Sequence, residues 1–443
     1  VRWSGVLELW FDFSCPYAYL ASRQAKQLGE VDWRPMLLGG VFRGIGAGDG
    51  PMATISPPKQ MHNVHDMYRW ADVFGEPFRL PAAHPMRTVL ALRTLLALPR
   101  DAWPAAIEAI FAAYWQRGDD VTQPAVIAAA LAAAGLAPEV IADAQARADD
   151  PAIKDELRRR TDEAIALGIF GAPAWVSRDA EPHVLIWGQD RMAWVRALRA
   201  GWRLEGPPPD GPHPFAPAAP ALAGRRLDVY FDVASPFAYL GLTQLPALAG
   251  GAELRLIPIL LGALFRDLQQ ANVPWFAMPP AKQRYVGEDM QRWARWWGVP
   301  FTLPRKFPQR TIAAQRLAIV AAHHNVTTGV RLAAALGRAM WGEGRDLEDE
   351  ATLRAVLAAE SLPDEWLART QDPAIKAELA ANTAAAREAG VFGVPTFVVD
   401  GQHLFWGQDR IELVSRALAG WEPPRPADLG AFGERWPTGP LGR

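Results

Sequence analysis

The chain has 443 residues, half of them hydrophobic and 21% charged, with 46 Lys and Arg against 48 Asp and Glu for a net charge of -2. That balance excludes a disordered chain and offers no basic surface for a polyanion, so nucleic acid is not an expected partner. The longest apolar stretch, Ala125 to Ala137, falls far short of the roughly 20 residues a membrane helix needs, and no membrane span is expected. A single cysteine, Cys15, excludes an intramolecular disulfide and a Cys-rich metal site. Val1 to Gly5 carries no basic and apolar leader pattern, so the cytoplasm is the expected compartment.

Taken in chain order, Leu7 to Phe13 is a β-favouring run that ends in a Pro-containing turn, and PYAYLASRQAKQL after it has apolar residues at helical spacing. Val31 to Leu38 reads as a second strand, which closes a βαβ unit with parallel pairing. From about Pro57 to Leu167 the chain is Ala-, Leu-, Arg- and Glu-rich with helical periodicity. A hairpin is expected from Ala174–Ser177 and Val184–Trp187, then a last helix from Gln189-Asp190. The stretch from Gly206 to Pro220 is too proline-dense for a helix or central strand and reads as a semi-rigid linker.

After the linker the same text returns. LWFDFSCPYAYL from Leu9 recurs as VYFDVASPFAYL from Val229, KQMHNVHDMYRWADVFGEPFRLP from Lys59 as KQRYVGEDMQRWARWWGVPFTLP from Lys282, and DPAIK, FGAPA/FGVPT and WGQDR follow in the same order. The offset stays near about 220 residues, so the chain is a colinear duplication. The second copy has its strands at Leu227–Val233 and Leu254–Leu261, helices from Pro280 to Ala389, and a hairpin from Thr396–Val399 and Leu404–Trp406. Its last helix is expected from Gln408-Asp409. The expected organisation is a first copy over 1–205, a linker over 206–224, a second copy over 225–421 and a Pro-rich tail over 422–443. The fold class is α/β: a thioredoxin-like βαβ-ββα sheet split by an all-helical insertion, duplicated in tandem as an internal pseudo-dimer.

Cys15 and Ser235 fall in the first turn after strand one, where helix N–H groups and the macrodipole favour an anion, so a thiolate of lowered pKa is one reading of Cys15. A small residue chosen for the tight turn, or an inert buried cysteine, is the other. Asp190 and Asp409 open the last helix, as caps or, with the N–H groups beside them, as a site for an ammonium and a carboxylate. Asp66/Arg69 and Asp289/Arg292 read as ordinary i,i+3 pairs. Arg87 and Arg310, in HPMRT and FPQRT, are candidates for a carboxylate substrate. Trp115, Trp341, Tyr19, Tyr239 and Trp406 are core side chains or the walls of an aromatic pocket. His62 and His65 have the one metal-like spacing; the second copy has Tyr285 and Glu288 there, and no metal is expected.

As a set, FDxxSPxxYL, KQ…DM..RWA, WGEGRDL, NT…GVFGVPTF and WGQDR resemble the 2-hydroxychromene-2-carboxylate isomerase family, close to kappa-class glutathione transferases within the DsbA-like thioredoxin group. The resemblance covers nearly all of both copies. It implies glutathione as the cofactor, with the Ser235 hydroxyl donating to its sulfur. Ala172-Pro173 and Val394-Pro395 would be cis and pair through Ala172 and Val394 with the cysteinyl backbone. Gln408 and Asp409, and Gln189 and Asp190, would take the γ-glutamyl group, and Lys59 and Lys282 would meet the glycyl carboxylate. It further implies a small-molecule substrate, a carboxylated aromatic or conjugated enone, isomerised by reversible thiolate addition. The second copy keeps Ser235, Thr396 and Asn382 where the first has Cys15, Ala174 and Arg160 and inserts Asp179–Pro182, so the working site is expected in the second. A monothiol oxidoreductase acting through Cys15 and a non-catalytic binding scaffold are the competing functions.

Overall fold

The computed structural model describes residues 5–425 except 49, 51, 53–54, 180–181 and 272. Most of the tail that starts at Glu422, and the centre of the Asp179–Pro182 insertion, lie outside the described residues. In the first copy β1 (Leu7–Phe11), β2 (Val31–Pro35), β3 (Ala174–Ser177) and β4 (Val184–Trp187) form one sheet in the order β2-β1-β3-β4. β1 and β2 are parallel, whereas β3 runs antiparallel to β1 and to β4. Helices cover both faces, so LELWF of β1 is buried throughout. Its one acid, Glu8, is paired with Arg34 and Arg178.

α1 (Pro16–Ala25) links β1 to β2, α2 (Leu38–Gly44) follows, α3 (Pro57–Phe74) to α8 (Pro151–Ala166) form the insertion, and α9 (Met192–Arg199) ends the copy. The second copy repeats this with β5 (Arg226–Phe231), α10 (Pro236–Leu248), β6 (Glu253–Pro258), α11 (Leu261–Asp267), α12 (Pro280–Trp297) to α17 (Pro373–Glu388), β7 (Thr396–Val399), β8 (His403–Trp406) and α18 (Ile411–Leu418), its sheet ordered β6-β5-β7-β8. Proline occupies the first turn of α1, α3, α10 and α12, where the missing N–H costs nothing. α3 and α12 stop at left-handed Gly75 and Gly298.

The last helices begin later than the sequence pattern indicates, at Met192 and Ile411. Gly188 and Gly407 take φ of 113° and 103°, and a Cβ on either would sit 2.4 or 2.5 Å from the carboxylate of Asp190 or Asp409. Gln189-Asp190 therefore belongs to a glycine-driven turn, whereas Gln408-Asp409 lies in a single 3-10 turn, Gln408–Arg410, that leads from Gly407 into the last helix. Between the copies, residues 206–224 make no helix or strand. They lie along the second copy: His213 N donates to Trp296 O at 2.6 Å, and Phe215 N to Gln244 Oε1 at 2.8 Å.

The copies pack against each other as an internal pseudo-dimer. α3 of the first lies on β8 of the second, where Arg69 donates to Leu404 O at 2.6 Å; reciprocally Arg292 of α12 donates to Leu185 O of β4 at 2.7 Å. A single apolar core contains residues of both copies. Among the described residues no helix is long and apolar enough to cross a membrane.

Burial also sets an acid-sensitive element. Tyr114 OH accepts from Met86 N, so its own proton goes to His84 Nδ1 at 2.8 Å, and burial pushes His84 down to about 4. A histidine lowered in the folded state contributes stability that is complete above about 6.5, its unfolded value, and is lost as pH falls toward 4. His84→Gln should therefore be less stable than the unsubstituted chain at pH 7, with the gap closing between pH 6.5 and 4 in urea titrations. A gap independent of pH would contradict this assignment.

Candidate functional site

The turn after the first strand of each copy is tied down by a buried aspartate. Asp12 accepts from Ser14 N (2.9 Å), Leu38 N (2.8 Å) and Thr88 Oγ1 (2.5 Å), and Asp232 from Ala234 N (2.9 Å), Leu261 N (2.9 Å) and Thr311 Oγ1 (2.7 Å). Burial raises both carboxyls despite these donors. In HPMRT and FPQRT the inward group is thus the threonine, and Arg87 and Arg310 are exposed. The signal was present in the sequence as a Thr following the Arg in both copies.

Trp115 and Trp341 are fully buried and donate through Nε1 to Phe13 O and Val233 O at 2.8 Å, bracing the same turn. Tyr19 and Tyr239 are likewise core residues, their hydroxyls donating to Pro77 O and Pro300 O. All four are buried. Trp187 and Trp406 are only partly buried, and their indole N–H groups find no acceptor among the described residues.

Cys15 and Ser235 are the N-cap residues of α1 and α10. Each faces a cis X-Pro peptide: Cys15 Sγ donates to Ala172 O at 3.1 Å before Pro173, and Ser235 Oγ to Val394 O at 3.3 Å before Pro395. Ser235 Oγ also accepts from Ala238 N at 3.2 Å. The expected thiolate is not supported. Burial pushes Cys15 up to about 12, the N–H groups of Ala18 and Tyr17 offsetting only part of it while Asp12 adds to the rise. Here desolvation outweighs the helix terminus.

The remaining groups come from both copies. Lys59 of α3 places its ammonium 4.4 Å from the ring centre of Trp406 in the second copy, and Lys282 of α12 sits 5.9 Å from that of Trp187 in the first. Neither ammonium has a carboxylate partner among the described residues, and burial, then the charge of Lys282, brings Lys59 down to about 8. Each lysine therefore lies against a tryptophan of the other copy. Trp406 N donates to His62 Nε2, and Trp187 N to Tyr285 OH, across the same boundary.

Asp190 and Asp409 cap nothing; α9 and α18 have Arg191 and Arg410 at their N-caps with no side-chain cap bond. The two arginines cross the pseudo-twofold. Arg410 binds Asp66 through two nitrogens (2.7 and 3.0 Å) and Asp190 at 2.5 Å, while Arg191 reaches Asp409 at 2.9 Å, Asp190 at 2.7 Å and Asp289 at 3.4 Å. Asp66 and Asp289 are thus acids for the opposite copy and not i,i+3 partners of Arg69 and Arg292. Nothing in one copy's sequence signals this, because the arginine that each of these two acids meets lies in the other copy.

The two clefts differ. Tyr17 OH adds a bond to Asp66 at 3.0 Å, whereas Phe237 stands at the matching place and Asp289 keeps one buried oxygen without a partner. Asp190 is sealed, 7% exposed, but Asp409 is 21% exposed and, despite burial, is held below the usual carboxylate range by Arg410 and Arg191. Gln189 and Gln408 are both buried beside them. Thr396 Oγ1 donates to Gly393 O at 2.7 Å, a brace that Ala174 lacks. Among the described residues no three His, Cys, Asp or Glu side chains converge as a metal site.

The DSBA-like thioredoxin domain family matches residues 6–198 and 226–419. Glutathione S-transferase kappa 1 of Caenorhabditis elegans is 28% identical over 224 residues, which is 47% of this chain and 96% of that protein. The 2-hydroxychromene-2-carboxylate isomerase of Sphingobium xenophagum is 30% identical over 203 residues, 44% of this chain and 98% of its own length. A solved 2-hydroxychromene-2-carboxylate isomerase structure covers 43% of this chain and 93% of itself at 25% identity, with a TM-score of 0.38. Each relative thus corresponds to about one copy.

A shift of Cys15 from 9.0 to about 12 leaves about a thousandfold less thiolate at neutral pH. Iodoacetamide at pH 8 should label native Cys15 at least about a hundredfold more slowly than the urea-unfolded chain. Equal rates in the two states would overturn the buried-thiol assignment.

Proposed function

We infer, because this chain belongs to the DSBA-like thioredoxin domain family in both of its copies, that it is a glutathione-dependent isomerase or transferase whose working cleft is that of the second copy. The observation that carries this reading is the asymmetry at the two aspartates. Both aspartates meet Arg191 and Arg410, but Asp409 is 21% exposed and lies in the copy that has a hydroxyl, Ser235, at the helix terminus, whereas Asp190 is 7% exposed in the copy that has a neutral buried thiol.

The groups lining this cleft fit a γ-glutamyl tripeptide. An indole N–H without an acceptor on Trp406 and an ammonium without a counter-ion on Lys59 suit a peptide carbonyl and a carboxylate. Val394, next to the cis peptide, has a carbonyl that already accepts from Ser235 and suits extended pairing with a cysteinyl backbone. Gln408, Asp409 and Arg191 suit the α-amino and α-carboxylate ends.

When bound, glutathione supplies a thiolate nucleophile able to add reversibly to a conjugated enone, which permits rotation about the former double bond. Ser235 turns its hydroxyl proton from Val394 O toward the sulfur and stabilises its charge, together with the first N–H groups of α10. Lys59 anchors the far carboxylate and closes the cleft from the other copy. The substrate of this reading is a carboxylated aromatic or enone lying against Trp406.

Calorimetry with glutathione tests the arrangement. Lys59→Ala should weaken the second-copy site about tenfold, about 1.4 kcal/mol, while Lys282→Ala, which removes only a neighbouring charge that lowers Lys59, should weaken it far less. Ser235→Ala should retain binding but raise the pKa of the bound thiol by about one unit, followed by thiolate absorbance. Absence of glutathione binding would end the proposal, and equal loss in the two lysine variants would end the cross-copy assignment.

A further inference from the structure

The chain has only six lysines among its 46 basic residues. Three of them carry acid partners: Lys26 meets Glu108 at 2.7 Å, Lys154 meets Asp149 at 3.0 Å, and Lys306 meets Asp346 and Glu348 at 2.9 and 3.0 Å. Lys376 is exposed on α17. The other two, Lys59 and Lys282, are the matching residues of the two copies, and among the described residues neither has a carboxylate partner.

Their placement opposes a charge on the nitrogen. Each stands in the first turn of a long helix, α3 or α12, and that turn holds no acid. The positive end of the helix dipole lies there, where a cation is disfavoured. Each helix carries its lysine to the other copy, so the two nitrogens approach the same boundary, Lys59 over the Trp406 ring and Lys282 beside that of Trp187. Both lysines are only partly buried, so a small solute has access to them.

The pair is unequal. Burial lowers both lysines, but Lys59 also feels the charge of Lys282 and comes down to about 8. At pH 7.5 that leaves about a quarter of Lys59 as the free amine, against about one part in a thousand for an ordinary lysine. A lysine that is desolvated and set beside another cation is the arrangement that turns an ammonium into a nucleophile.

We propose that Lys59 is a reactive amine that condenses reversibly with the carbonyl group of a small oxo acid, whose carboxylate is drawn by Lys282 of the opposite copy. The lone pair of the unprotonated Nζ adds to the carbonyl carbon, and the carbonyl oxygen takes up the proton that the nitrogen releases. The hydroxyl so formed leaves as water on gaining a proton from solvent, which gives a protonated imine; hydrolysis reverses both steps, and no oxidant or reductant is consumed. The carboxylate follows from the charge: two cations without an acid between them attract an anionic carbonyl compound and offer nothing to a neutral one. The assignment does not rest on the glutathione reading, and the two ligands would exclude each other at Lys59.

Trapping with glyoxylate and cyanoborohydride, on the full chain at pH 7.5 without glutathione and read by peptide mass mapping, tests this. Lys59 should be modified at least about tenfold faster than Lys376. Lys282→Met should slow Lys59 about fivefold, whereas Lys282→Arg, which keeps the charge, should hold the rate within about twofold. Propanal, an uncharged aldehyde, should prefer Lys59 at least about threefold less than glyoxylate does. Equal rates at Lys59 and Lys376 would overturn the reactive amine. An undiminished preference with propanal, or an unchanged rate in Lys282→Met, would overturn the oxo-acid assignment.

Discussion

Two buried guanidiniums hold this molecule in its working shape. Arg191 and Arg410 leave the start of the last helix of each copy and enter a nest of four aspartates drawn from both copies. Removing one member of such a buried set typically costs about 3–5 kcal/mol, because a charge is then left without a partner. The copies are thereby fixed against each other in one register. That register seats α3 on β8 and α12 on β4, and so carries Lys59 to Trp406 and Lys282 to Trp187. The surroundings of Trp406 and Trp187 are therefore built from both copies.

Fusion of the two copies frees them to differ, and the differences cluster at this boundary. Tyr17 completes the hydrogen bonding of Asp66, whereas Phe237 leaves Asp289 short, and burial raises Asp289 more than Arg191 lowers it. The slack falls beside Asp409, the more exposed of the two γ-glutamyl candidates. At the helix termini the first copy has a sulfur where the second has an oxygen, and burial keeps that sulfur protonated. Asp190 is thereby the more enclosed of the pair and Asp409 the more exposed.

Much of the architecture was legible in the sequence because it is local and written twice. Short β-favouring runs marked the strands, proline-led helical runs marked the insertion, and the two X-Pro motifs fell beside the turn that the structure places against them. What was not legible is relational. Asp66 and Arg69 sit three apart on one helix and invite an intrahelical pair, but each faces the other copy. Tyr239 and Trp341 have the composition of a pocket wall and are used as braces. Arg310 drew attention by its charge although its neighbour Thr311 is the buried group. The helix-terminus rule for Cys15 was outweighed by burial, which depends on the whole packed structure and not on the turn.

The most direct test of the account is a crystal structure of the intact chain with glutathione. The account places the sulfur at Ser235 Oγ, the γ-glutamyl end at Asp409, and the glycyl carboxylate within reach of Lys59 from the opposite copy. A tripeptide bound at Cys15 alone, or held wholly by residues of one copy, would contradict it.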